Sequence, residues 1–255
     1  MRPLLSLFSL ATLLAFAQPA PTEKPVALIP GLGPYTHTIT TRNPDAQKFF
    51  NQGLNLLYGF NRYEALRSFR RAAQLDPAAA MPHWGIAMAQ APYINMDLDG
   101  DFHSKESCDA IRDGLALRDG VPARERAYLE AAAKRCPDGA SPDYITAMRS
   151  LAQRYADDLD AATFFAESLL IPTRWKWWSP DGKPAAGTEE AVRVLDQVLR
   201  HDADHPGANH LYIHAVEASS TPERAIPSAQ RLMGEVPAAG HLVHMPAHIW
   251  LLLGE

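Results

Sequence analysis

The chain repeats itself. Ala65, Phe69, Ala72 and Pro77 stand at the same mutual spacings as Ala225, Ala229, Leu232 and Pro237. In both stretches apolar residues recur at helical spacing and the run stops at a proline. That is the period of an amphipathic helix closed by a breaker. A repeated unit of about 34 residues cannot bury its apolar face alone, so it must stack on its neighbours as a helical array. DAATFFAESL (160–169) echoes DAQKFFNQGL (45–54) and predicts a first helix whose partner lies over 189–206. Residues 78–157 read as helical in a looser register: MPHWGIAMAQA starts a unit, and helices follow over 105–118, 122–135 and 141–156. Helix pairs are expected at 45–59/62–76 and 206–218/222–235, followed by a single helix without a partner.

Phe49 and Gly53 complete the first pattern of alternating large and small residues. This pattern resembles the tetratricopeptide repeat family. It departs from that family at Asn209, where a large apolar residue is usual, and at Pro246, inside an expected helix. HPGANHLYIHAVEAS and HLVHMPAHIW further resemble segments of large exported bacterial tetratricopeptide proteins, a group that implies a fold and no activity. The resemblance implies an all-α fold, a tetratricopeptide-type α-solenoid of antiparallel helical hairpins over residues 45–255. Glu255 falls midway through a unit and leaves Ile249, Trp250, Leu251, Leu252 and Leu253 uncovered, so an array truncated at its C-terminus is expected.

Ahead of the array, Arg2, an apolar stretch from Leu4 to Ala17 and the Ala15-Phe16-Ala17 cleavage pattern mark residues 1–17 as a signal peptide. Residues 18–44, rich in Pro, Gly and Thr, form an irregular lead-in. The expected location is therefore periplasmic or extracellular. No later window is long and apolar enough to span a bilayer, so no stable membrane insertion is expected after cleavage. The net charge is −5, with 24 basic and 29 acidic side chains and no basic run beyond Arg70-Arg71. Nucleic acid is excluded as a partner, because no basic patch exists to meet phosphates. An oxidising compartment permits a disulfide between Cys108 and Cys136, which fall near the open end of one helical hairpin.

The residues that bear chemistry are histidines. His210 and His214 form an H-x-x-x-H pair, and His244 and His248 form a second one 34 residues later. Residues four apart share a helical face, with Cβ atoms about 5–6 Å apart. Packed helices lie about 8–10 Å axis to axis. The family resemblance implies that these four, with Glu217 and His241, line a concave groove. The six are expected to converge and bind a divalent transition metal, since neutral imidazole suits Zn, Cu, Fe and Ni. Glu217 is either a further ligand or the partner that fixes an imidazole tautomer. Two alternatives stand beside this reading: a metal-free scaffold that binds a peptide or protein partner in the groove, and a metal-dependent hydrolase or oxidase.

Pro246 leaves the geometry open. Either a helix starts there and His241 and His244 sit in the preceding turn, or a longer helix kinks. The loop Arg174-Trp175-Lys176-Trp177-Trp178 either packs over helix ends or forms an aromatic wall beside the groove. His37 has reach enough to fold back toward the histidines, and His83 reads as a packing residue. The chain has no G-x-S-x-G, H-E-x-x-H or phosphate-loop motif.

Overall fold

The computed structural model describes residues 24–96, 104–136 and 141–254. The signal peptide read over residues 1–17 lies outside them. Among the described residues all regular structure is helical, and the nearest approach to a strand is one isolated bridge, Trp178 to Pro184. None of these helices is long and apolar enough to cross a membrane.

Helices α1 (Pro44–Tyr58) and α2 (Arg62–Leu75) form the first pair. Asn43 caps α1 by accepting from the Asp45 amide, and Asn61 caps α2 by accepting from Glu64. Each satisfies a donor that the helix itself leaves unpaired. The Phe69 ring packs so closely on Gly53 of α1 and Gly85 of α3 (Met81–Gln90) that a Cβ at either glycine would collide with it. Helices α4 (Ser104–Ala116), α5 (Ala123–Ala133), α6 (Pro142–Arg154), α7 (Leu159–Leu170) and α8 (Thr188–His201) follow, each packed on the one before.

Cys108 on α4 and Cys136 just beyond α5 are bonded, with Cα atoms 5.8 Å apart. The bond closes a segment of 28 residues. Replacing both cysteines by serine is expected to cost about 3 kcal/mol by releasing that loop in the unfolded chain. A urea denaturation midpoint unchanged in the double variant would contradict this.

Helix α9 (Pro206–Glu217) holds the assembly together. Every residue from Pro206 to Val216 is buried. It packs on α8, and also on α1 and α7 from much earlier in the chain. Gly207 permits this approach, since a Cβ there would strike the Tyr58 ring. Gly207→Ala is expected to destabilise the fold by about 1–3 kcal/mol through overpacking, read as a lower melting temperature.

After α9 come a 3-10 turn at Pro222–Ala225 and α10 (Ile226–Glu235). Of the two geometries left open at Pro246, a helix does start there, α12 (Pro246–Leu253), but the segment before it is also helical, α11 (Gly240–His244). Pro246 cannot donate a backbone hydrogen bond, so the ladder breaks there. Met245 keeps right-handed helical angles between them, and its amide donates to the His241 carbonyl at 3.1 Å. The path therefore bends without unravelling, and His241 and His244 ride on a helix of their own. Contrary to the expectation of a helix without a partner, α12 packs on α9 and α10 and buries Ile249, with Leu251 and Leu252 exposed.

Residues 24–43 carry no helix or strand and run along α1. Side-chain amides of α1 serve as their hydrogen-bonding partners. Gln52 accepts from the Ile29 amide at 2.7 Å and donates to the Ala27 carbonyl at 3.0 Å. Asn55 donates to the Tyr35 carbonyl, and Gln47 both accepts from the Ile39 amide and donates to the His37 carbonyl.

Candidate metal centre

Three short helical segments bring all six expected residues into one connected cluster. His210, His214 and Glu217 come from α9, His241 and His244 from α11, and His248 from α12. His210 and His214 are sealed, at 0% and 1% exposure, while His241 and His248 are half-buried and His244 is exposed. The cluster thus runs from the interior to the surface. Its inner end is covered by α1, whose Tyr58 carbonyl meets His210.

The hydrogen bonds determine which ring nitrogens are free. His210 Nδ1 lies 2.6 Å from the Tyr58 carbonyl oxygen. A carbonyl only accepts, so Nδ1 carries the proton. His214 Nδ1 lies 3.0 Å from Glu217 Oε1, and His248 Nδ1 lies 2.5 Å from Glu217 Oε2. Burial would raise the Glu217 carboxyl, but hydrogen bonds from His214 and His248 pull it down to about 2. Glu217 is therefore an ionised acceptor for both rings. With Nδ1 of His210, His214 and His248 donating to these oxygens, Nε2 is the nitrogen of each ring left for another partner.

His241 Nε2 meets His210 Nε2 at 3.0 Å, and His244 Nε2 meets His248 Nε2 at 3.0 Å. The Nε2 of His214 is buried and has no hydrogen-bond partner. Donor atoms of His210, His214 and His241 lie within 4.8 Å of one another, as do those of His214, Glu217 and His248. Burial, then the neighbouring imidazoles, keeps His210 well below the ordinary histidine range and His241 at about 4. Both rings are held in the form that ligates metal.

Aromatic residues wall the cluster. The Phe60 ring centre is 4.3 Å from that of His210 and 5.1 Å from that of His241. Trp175, half exposed, stands edge-on 5.8 Å from His214. Trp177 is buried and donates to the Leu170 carbonyl, and Trp178 donates to Ala215 of α9. The tryptophan loop therefore does both things weighed for it: it packs on helix ends and flanks the histidines. Phe60 (φ 54°) and Trp175 (φ 62°) are the non-glycine residues with positive φ among those described. Such angles cost about 1–3 kcal/mol and persist where the surroundings impose them. Neither conformation, nor the Tyr58 carbonyl, has any signature in the sequence.

His37 does not reach this cluster. Its Nδ1 bonds Asp160 Oδ2 at 2.6 Å in a second buried group. Tyr58 donates its hydroxyl to Asp160 Oδ1, and His205 Nε2 lies 3.4 Å from the same oxygen. Burial would raise Asp160, but hydrogen bonds from His205 and His37 hold it below the ordinary carboxyl range. Burial works against the charged form of His37, but the Asp160 partner raises it above the ordinary value. Sequence reading missed this group because its members, at 37, 58, 160 and 205, share no periodicity. His83 is half-buried where α4 comes close at Gly114, as a packing residue would be.

No protein-family model matches the chain, and no curated protein matches it.

Proposed function

We propose that this protein is an exported tetratricopeptide-type solenoid that binds a divalent transition metal (Zn, Cu or Fe) at the histidine cluster. One observation carries the reading: the buried, unpartnered Nε2 of His214 sits among other imidazole donors. A buried polar atom without a partner costs about 1–3 kcal/mol, and a bound cation removes that cost. Two nitrogens on one tetrahedral zinc at bond lengths of 2.0–2.1 Å stand about 3.3–3.4 Å apart, a few tenths of an ångström beyond the 3.0 Å His210–His241 approach. Ligating histidines usually donate their other ring nitrogen to a carboxylate or carbonyl, and Glu217 and Tyr58 fill those roles here. The solenoid part of the reading draws support from the neighbour-on-neighbour helix packing and the Phe69 contact with Gly53.

The alternative of a peptide in the groove is weakened by the lead-in, which already occupies the polar side chains of α1. A hydrolase would want a free base at the metal. Both oxygens of Glu217 are engaged by imidazoles, so metal binding by itself is the stronger reading.

Elemental analysis of untagged protein tests it, with binding titrations of zinc and copper. Glu217→Gln is expected to weaken affinity by about 10–100-fold, as for other partners of ligating histidines, and His83→Ala to leave it unchanged. Metal-free protein that takes up neither ion would refute the reading.

A further inference from the structure

The cluster holds five histidine rings, one more than a four-coordinate ion takes. Resting on the metal reading above, we propose that it is a two-ion centre. The inner ion takes Nε2 of His210, His214 and His241; the outer one takes Nε2 of His244 and His248. Ligands on one ion with bonds of 2.0–2.1 Å are at most about 4.2 Å apart, the separation of two ligands in line through the metal. The inner three lie within 4.8 Å of one another, a spread that slight ring rotation closes. His244 belongs to neither tight group of donors. Its ring centre is 6.1 Å from that of His241, and it approaches the cluster through His248.

Three further features fit two ions. The 3.0 Å contact between Nε2 atoms occurs twice, in separate pairs: His210 with His241, and His248 with His244. Within each pair one ring is locked through Nδ1, His210 by the Tyr58 carbonyl and His248 by Glu217. Glu217 also ties the two groups together, with one oxygen on inner His214 and the other on outer His248. A single carboxylate thereby sets the spacing between ligands of different ions, whose rings stand 5.6 Å apart centre to centre. The outer group opens to solvent at His244, which is exposed. The outer ion, with two protein ligands, keeps positions there for water or a small oxyanion such as phosphate.

The test loads untagged protein with excess Cu(II), desalts it, and counts copper per chain while recording the EPR signal. Expected are about two ions per chain, magnetically coupled as in close-paired sites. His244→Ala, at an exposed position, is expected to retain about one ion with an uncoupled signal, and His244→Gln to behave alike. His201→Ala, an exposed histidine outside the cluster, controls for adventitious surface copper and is expected to retain both ions. Wild type saturating at about one ion, with His244→Ala indistinguishable from it, would overturn the two-ion centre and leave the metal reading standing. Loss of one ion in His201→Ala would also overturn it. No copper in any of these proteins would end both.

Discussion

His214→Ala is expected to weaken zinc or copper binding by more than the roughly 100-fold that losing a ligand's hydrogen-bond partner can cost. The ring is common to both tight donor groups. Its Nδ1 is anchored on Glu217, and its Nε2 is the buried nitrogen with no other use. No neighbour can replace it, since His210 is pinned by the Tyr58 carbonyl and His248 by the other Glu217 oxygen. Competition against a chelator of known affinity would measure the loss. A change below tenfold would remove His214 from the ligand set. In the wild type, affinity should fall in acid, because ligating imidazoles must be neutral. Histidine titrates near 6.5 when unperturbed. His210 and His241 are held below that value by burial and then by neighbouring imidazoles, His214 foremost. His248 is raised above it by its Glu217 hydrogen bond. The decline should therefore begin with His248 above pH 6, while the inner rings resist. Affinity that is flat between pH 7 and 5 would contradict this.

Asp160→Asn is expected to cost about 3–5 kcal/mol, the range for removing one partner of a buried ion pair. The carboxylate accepts from Tyr58 and His37 and faces His205. An amide cannot balance the charge on His37. The pH dependence has a definite sign. The folded Asp160 carboxyl is depressed, so its contribution is complete above the unfolded value of about 3.9 and is lost as pH falls through the lower folded value. Folded His37 is raised, so its contribution is complete below about 6.5 and is lost as pH rises through the folded value. The difference in stability between wild type and variant should therefore be largest between about pH 4 and 6.5 and should shrink toward pH 9. Thermal melts at pH 5 and 9 would show it, and equal differences at both would mean that the pair does not titrate. Because Tyr58 also accepts from His210 through its carbonyl, this variant should weaken metal binding too.

Local order was open to sequence reading because it depends on residues near one another in the chain. Periodicity located α1, α2, α7 and α9 to within about two residues and α8 at its start, and Gly59 and Asp76-Pro77 mark the ends of α1 and α2. The 34-residue offset between the histidine pairs told which helices would present imidazoles together. Spacing alone could not tell how the terminal helix divides at Pro246. That depends on whether Met245 can hold helical angles against its surroundings.

Everything that turns six side chains into a connected centre was decided by tertiary structure. Glu217 was expected as a ligand or a supporting partner, and only tertiary structure sets His214 and His248 on its two oxygens. The Tyr58 carbonyl orients His210 across 152 residues of chain. His37 finds Asp160 across 123. Such pairings arise where α1, α7 and α9 meet. Helical periodicity reports which face of a segment is apolar, and carries no information on which distant segment will close over it.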